Sequence, residues 1–402
     1  MVRRISSKKT SPLTAIDICA GAGGLFLGVH NAGFRHSTLI ENDKLAATTL
    51  RHNIQTVLGI TKDVVLEEDA SRVDFRSFTG CVDLLTAGPP CPPFSIGGMG
   101  IGYDDPRNMF SVILDAVGLI MPQAILIENV KGLLRPRFSD ALGYIKKRLQ
   151  FPKLTRKRTE NWRNHYKRLL KIRVSDFSAY DQYCVSLQLI DAADYGIAQR
   201  RERVLITALR CDLGVAPPNI DPTHSRMALL VDQCITRDYW KRLGRSTGAQ
   251  TDHLTKTDAR MLQGLKNNRD LLSPYGKPWV TVRQALSGLP LPAVRGTEPT
   301  LPNHVQHPGA RSYRNHSGSF LDFPAKALKA GVNGTPGGEN TLRISADEVR
   351  YFTTREAARL QTFPDEWVFH GHWGACIKQL GNAVPVKLVE QFASKIHHLL
   401  RV

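Results

Sequence analysis

The sequence predicts an α/β fold, a mostly parallel sheet covered by helices on both faces, with a second, smaller and irregular domain after it. Three observations predict it. Short branched runs alternate with helical stretches over the first two hundred residues. Gly, Pro, Ser and Arg dominate from about Cys211 to Asn340, and helical periodicity returns before the carboxyl end. The strand candidates TAIDICA (14–20), STLIEND (37–43), VDLLTAG (82–88) and AILIENV (124–130) are each bounded by Gly, Pro, Asp or Asn. Leu25 to Ala32 and Lys44 to Ile54 read as the intervening helices, and two more strands lie around Val185–Leu189 and Val204–Leu209. Thr353–Phe363 is a helix carrying Arg355, Glu356 and Arg359, followed by a linker of aromatic and Gly residues. Pro385–Leu400 closes the chain as a helix. Pro385 suits its first turn, and Val386, Val389, Phe392, Ile396 and Leu399 recur at helical spacing.

Composition narrows the function. The chain has 402 residues, with Lys+Arg 54 against Asp+Glu 36 and a formal net charge of +18. At 42% hydrophobic and 22% charged it is globular material, neither disordered nor collagen-like. No run approaches the ~20 apolar residues of a membrane span, and the basic start MVRRISSKKTSP has no apolar signal core behind it. Seven scattered cysteines (19, 81, 91, 184, 211, 234, 376) form no CxxC pair, so neither a disulfide framework nor a metal site is expected. A reducing, cytoplasmic setting follows, and the basic excess points to nucleic acid.

The densest basic run lies between Lys146 and Arg173, with twelve Lys/Arg and one acid, Glu160. A helix over Glu160–Ile172 places Trp162, Tyr166 and Leu169 on one face and Arg163, Lys167 and Lys171 on another. That stripe suits a DNA backbone, and it equally suits a solvated helix face.

Chemistry gathers at strand ends. The first strand runs into Ala20-Gly21-Ala22-Gly23-Gly24, where glycines let the backbone turn sharply and approach a ligand. Glu41 ends the next strand, 24 residues after Asp17, as a carboxylate holding ribose hydroxyls would. The third strand ends in Ala87-Gly88-Pro89-Pro90-Cys91-Pro92-Pro93, a stiff loop that suits Cys91 to nucleophilic attack. The other six cysteines are expected to be small buried hydrophobes. Glu128 closes the fourth strand, where it serves either a salt bridge or a proton transfer to a ring nitrogen. In Gln199-Arg200-Arg201-Glu202-Arg203 the two arginines Arg201 and Arg203 lie two apart and on an extended chain share a face, which either points into the Cys91 site or is an ordinary solvated edge.

In this order, the pieces resemble the DNA (cytosine-5)-methyltransferase family of bacterial restriction-modification systems. IDICAGAGGLFLGVHNAGF looks like its S-adenosylmethionine motif, AGPPCPPFS its cysteine loop and LIENVKGL its glutamate motif. DYGIAQRRERV looks like its QxRxR motif, and TTREAARLQTFPD with QLGNAVPV its two last motifs. GVNGTPGGEN (331–340) resembles a patch that precedes them.

The resemblance implies a Rossmann-like S-adenosylmethionine-dependent methyltransferase sheet. Residues 11–210 would be the catalytic and cofactor-binding domain, completed by 375–402. Residues 211–374 would be the target-recognition region and hinge, variable over about 211–340. It also implies methyl transfer to cytosine C5 in a short double-stranded DNA sequence, on a flipped-out base. Cys91, Glu128, Arg201 and Arg203 would be catalytic. The cofactor, S-adenosyl-L-methionine with no metal, would contact Asp17, Ala20, Gly21, Gly23, Gly24, Leu25, Glu41, Asp69, Ala70, Asn382 and Val384. Ser95 and Arg107 join Arg163, Lys167 and Lys171 as expected DNA contacts. The expected protein is a monomer in the bacterial cytoplasm, on the nucleoid through DNA. It would share a site with a restriction endonuclease without forming a stable complex.

Two departures stand out. Cys19 takes the place of a family phenylalanine that stacks on adenine, and Asn42 after Glu41 is not aromatic. Pro92 replaces the usual glutamine after the cysteine. A transfer-RNA methyltransferase and a catalytically silent DNA-binding homologue remain alternatives; a nicotinamide oxidoreductase leaves PPCPP and QRRER without a role.

Overall fold

The structure is a computed structural model that describes residues 11–90, 102–104, 108–244, 254–267, 276–312, 318–330, 340–345 and 348–402. It divides into two compact units. The first comprises the described residues within Met1–Ile190, Glu202–Ile220 and Val389–Val402, and the second those within Asp191–Arg201 and Asp221–Leu388.

The strands of the first unit are β1 (Thr14–Ile18), β2 (Arg35–Glu41), β3 (Val65–Glu67), β4 (Leu84–Ala87), β5 (Ala124–Val130) and β6 (Tyr183–Asp191). After the two-residue β7 (Gln199–Arg200) comes β8 (Glu202–Arg210). The main sheet has seven strands in the order β3-β2-β1-β4-β5-β8-β6. Pairing is parallel from β3 to β5, and β8 runs antiparallel to β5. The expected strands and helices are present; β3, three residues long, has no readable pattern. Strands β4 and β5 are near-continuous apolar runs because both faces are covered: Leu85, Ile125 and Ile127 are fully buried. Each such side chain contributes about 1.5–3 kcal/mol of burial.

Helices α1 (Gly24–Asn31), α2 (Lys44–Thr56), α3 (Phe110–Ile120), α4 (Ser139–Gln150) and α5 (Trp162–Leu170) belong to this unit. The Asp43 carboxylate caps α2 by accepting from the N–H groups of Leu45 and Ala46, both at 3.1 Å. Helix α5 buries Trp162, His165 and Leu169; Tyr166, expected on that face, is half-buried. The order of strands reverses at β1, which pairs with β2 on one side and β4 on the other. A crevice forms at such a point beyond the carboxyl ends of the strands, where α/β ligands bind.

The second unit is less irregular than expected. It contains helices at Arg226–Cys234, Asp238–Arg242, Lys256–Asn267 and Val282–Ala285. Leu229, Tyr239, Trp240 and Trp279 form a small core with Ala193. The expected helix after Thr353 spans Thr354–Leu360, fixed by a capping box between Thr353 and Glu356. The segment read as a linker holds a further helix, Trp373–Asn382, whose Cys376, Ile377 and Leu380 are buried. Gly374 and Gly381, poor helix formers, hide it from a propensity reading. The C-terminal helix spans Val386–Arg401. Among the described residues, no helix is long and apolar enough to cross a membrane.

Candidate active site

The first group sits where β1 enters α1. Cys19 and Gly21 adopt left-handed backbone conformations (φ 62° and 57°), and Gly23 starts α1 at φ 95°. Only glycine takes such angles without cost, so Cys19 is a strained turn residue. Glu41 at the end of β2 reaches back to this turn. Its carboxylate accepts from Gly21 N–H and Asp43 N–H, each at 2.7 Å. Burial pushes the Glu41 carboxyl above its ordinary range, and these amides oppose the shift. Ala20 and Leu25 are buried beside it, and Gly24 opens α1.

Asp17 is fully buried on β1, and neither carboxylate oxygen has a hydrogen-bond partner among the described residues. Thr86 stands nearby on β4, its hydroxyl donating to the Ile16 carbonyl at 3.2 Å. Burial raises Asp17 to about 7; Thr86 opposes the shift and Glu41 adds to it. Asp69 follows β3, caps Ser71 N–H at 2.9 Å, and is held below the usual carboxylate range mainly by that bond. Ala70 beside it is buried. Cys19 lies among these groups: burial first, then Glu41, Asp17 and Asp69, push its thiol up, so it stays protonated.

The second group is built on β4, β5 and β8. Parallel pairing places Ala87 opposite Ile127, so Pro89 and Pro90 leave β4 beside the carboxyl-terminal part of β5, which carries Glu128. Asn129 Nδ2 donates to the Pro89 carbonyl at 3.4 Å and ties the two strand ends together. Sequence reading passed over Asn129; its signal is a buried polar residue closing an apolar strand. Glu128 is 4% exposed, and its Oε1 lies 2.7 Å from Arg203 Nε. The antiparallel register sets Leu205 opposite Glu128 and Arg203 opposite Val130, which makes the pair diagonal neighbours. Cys91, Ser95 and Arg107, together with Pro92, lie outside the described residues.

Arg201 departs from expectation. Two residues apart share a face only within one strand, and the extended chain breaks at Arg201, between β7 and β8. Within the second unit its buried guanidinium donates to the carbonyls of Leu328 (2.9 Å), Gly381 (2.6 Å) and Ala383 (2.9 Å). Gln361 joins this clamp, donating to Leu380 and Ala383, and Gln199 donates to Leu360 and accepts from Leu328 N–H. The clamped turn carries Asn382, whose side chain is exposed, and Val384, which is buried. A Cβ on Gly381 would lie 2.3 Å from Ala330 N, so only glycine fits there.

Arg163 and Lys167 on α5 are exposed, as is Lys171, which lies just past the helix as its C-cap rather than within it as expected. Arg163 is committed locally: it lies 3.1 Å from Asp104 and its guanidinium stands 4.5 Å over the Trp162 ring.

This arrangement can hold a hydroxylated ligand at Glu41 and a cationic or donor group at Asp17, beside a carboxylate fixed by an arginine. Comparison with known proteins gives the family. A model of the C-5 cytosine-specific DNA methylase family matches residues 13–151 and 159–398, passing over part of the basic run. Type II methyltransferase M.PspPI of Psychrobacter sp. (strain TA137) is 31% identical over 391 residues, 96% of this chain and 79% of that protein. Type II methyltransferase M.NgoMIV of Neisseria gonorrhoeae is 29% identical over 400 residues, 96% of this chain and 98% of that protein. A solved structure titled as a prophage-encoded DNA modification methyltransferase candidate from E. coli shares the fold. Its TM-score is 0.57 at 21% identity, covering 97% of this chain and all of that one. The chain therefore belongs to the C-5 cytosine-specific DNA methylase family and is a DNA (cytosine-5)-methyltransferase.

Proposed function

We propose that the protein methylates C5 of a cytosine within a short specific sequence of double-stranded DNA, through a covalent bond between Cys91 and C6 of a flipped-out base. The observation that supports this reading is the pairing of β4 with β5, which brings Pro89, two residues before Cys91, beside the end of β5 that bears Glu128, itself fixed by Arg203. C5 is a poor nucleophile until a thiolate adds to C6 and pushes electrons towards N3. We assign Cys91 to that attack. Glu128 meets the Watson–Crick edge: Arg203 holds Oε1, and Oε2 passes the proton that N3 takes up and accepts from the N4 amine. Loss of the C5 proton, departure of Cys91 and return of the N3 proton to Oε2 complete the turnover. Unstacking the base costs a few kcal/mol, offset by these contacts.

S-adenosylmethionine, when bound, supplies the electrophilic methyl group. The unpartnered Asp17 carboxylate fits its cationic part, and Glu41 its ribose hydroxyls. Ala20, Gly21, Gly23, Gly24, Leu25, Asp69 and Ala70 line the same turn and strand ends, and Asn382 and Val384 are assigned as further contacts. Arg201 is assigned a positioning role, holding the turn that bears Asn382. Asp17 links binding to stability. Its pKa is raised from 3.8 to about 7, so the folded state binds more protons, and the cofactor-free protein loses stability as pH rises through that interval. Asp17→Asn is expected to raise the Tm of the cofactor-free protein at pH 8 by a few degrees. Isothermal titration should show that it also weakens cofactor binding. A lower Tm together with unchanged affinity removes Asp17 from the pocket.

We assign sequence preference to residues 211–374, chiefly 211–340, because base-edge contacts specify and phosphate contacts only position. Grafting 211–340 into a relative of different specificity is expected to move the methylated site with it. An active hybrid that keeps the host's site refutes the assignment.

The stripe along α5 and its C-cap Lys171 is assigned to the DNA backbone, with Arg163 the weakest member because Asp104 already neutralises it. Each phosphate neutralised adds about 0.9 to the slope of log affinity against log salt. Changing Lys167 and Lys171 to Gln should flatten the slope by up to about 1.8, and adding Arg163→Gln should add less than another 0.9. The check is a duplex titration across a salt series; an unchanged slope leaves the stripe as surface.

The protein is proposed to act as a monomer in the bacterial cytoplasm, as the modification half of a restriction-modification system. Its endonuclease would share the site without a stable complex. Expression in a host lacking cytosine methylation, followed by bisulfite sequencing, tests the whole reading. Unmodified DNA alongside methylated transfer RNA would overturn it.

A further inference from the structure

The cysteines depart from their expected role. Among the described residues only Cys376 is buried; Cys81 and Cys184 are exposed, and Cys19, Cys211 and Cys234 are intermediate. Two of them meet. Cys184, near the start of β6, and Cys211, just after β8, hold their Sγ atoms 3.0 Å apart. That is about 1 Å beyond a disulfide bond. The backbone keeps them in register, since Cys211 N–H donates to the Gln182 carbonyl at 2.9 Å. Strand β6 is the last strand of the sheet, so the pair lies at an open edge. It also lies away from Glu128. The β8 register sets Leu209 opposite Ala124 at the start of β5, whereas Arg203 stands opposite Val130 at its far end. The methyl-transfer chemistry makes no use of these thiols.

We propose that Cys184 and Cys211 form an oxidation site, a dithiol that hydroperoxides close to an intramolecular disulfide. Cys184 is the exposed member and reacts first. Its thiolate attacks one peroxide oxygen, the O–O bond breaks, hydroxide departs, and the sulfur becomes a sulfenic acid. Cys211, pushed up to about 12 by burial and by the neighbouring sulfur, stays a thiol and acts as the resolving partner. Its sulfur attacks the sulfenic sulfur, the S–O bond breaks, and a second hydroxide departs as the disulfide forms. The two thiol protons neutralise the two hydroxides. Two thiols and one hydrogen peroxide thus give one disulfide and two waters, with two electrons passing from sulfur to peroxide. The bond ties the sheet's edge strand to β8 and closes a ring that includes the Gln199–Arg203 segment, restricting the unfolded chain.

The test uses the full-length protein, treated with stoichiometric hydrogen peroxide and mapped by mass spectrometry after non-reducing digestion. A peptide joining Cys184 to Cys211, lighter by two hydrogens, is expected. A rise in Tm of several degrees that dithiothreitol reverses should accompany it. Cys184→Ser and Cys211→Ser should each lose both the cross-link and the rise. Separate thiols after treatment, a sulfinic acid at Cys184 without cross-link, a Cys184 bond to Cys91, or a Tm rise that persists in Cys184→Ser would overturn the proposal.

Discussion

Cys91→Ser is expected to reduce methyl transfer to background, because a neutral hydroxyl is far less nucleophilic than a thiolate towards C6. The decisive measurement is covalent. Duplex DNA with 5-fluorocytosine at the target should form a denaturation-resistant adduct with the wild type, since fluorine does not leave C5 as a proton does. The serine variant should form none. Peptide mapping of the adduct then separates cysteines: attachment at Cys91 supports the mechanism, and attachment at Cys81 or survival of the adduct in Cys91→Ser removes it. The half-buried Cys19 is no competitor, for burial and three neighbouring carboxylates keep its thiol protonated.

Glu128→Gln should slow single-turnover methylation by about 10²–10⁴-fold, the usual worth of a positioned acid or base, with cofactor affinity nearly unchanged. The amide keeps the shape and a contact to Arg203 but passes no proton. Arg203→Met should behave differently. It strips the buried Glu128 carboxylate of its partner 2.7 Å away, and breaking such a pair costs about 3–5 kcal/mol of stability. The glutamine variant should therefore lose rate with a smaller loss of Tm, since its amide oxygen still accepts from Arg203, and the methionine variant should lose rate with the larger loss of Tm. A wild-type single-turnover rate in Glu128→Gln would exclude the proton transfer, and an unchanged Tm in Arg203→Met would show that the ion pair does not matter.

Much of the site was legible in the chain because its signals are short-range. Gly21 and Gly23 announce a turn that needs positive φ, and both have it. Glu41 closes a strand, and the structure bends its carboxylate onto the Gly21 amide. AILIENV reads as a buried strand and is one, residue for residue. What escaped reading depends on partners far apart in sequence. Asn129 meets Pro89 across 40 residues, and Arg201 meets Gly381 across 180. The expectation that Arg201 and Arg203 share a face assumed one unbroken strand, and the break between β7 and β8 divides their roles.

By itself the sequence determined most of the strands and helices of the first two hundred residues, the turn chemistry at their ends, and the motifs that place the protein in its family. Hydrophobic period, glycine and proline act within a few residues, so they survive in a linear text. The tertiary structure alone decided that Arg203 is the partner of Glu128, that Arg201, Gln199 and Gln361 brace the turn at Asn382, and that Cys184 faces Cys211. Strand order and long-range burial bring those side chains together, and neither has a local signature.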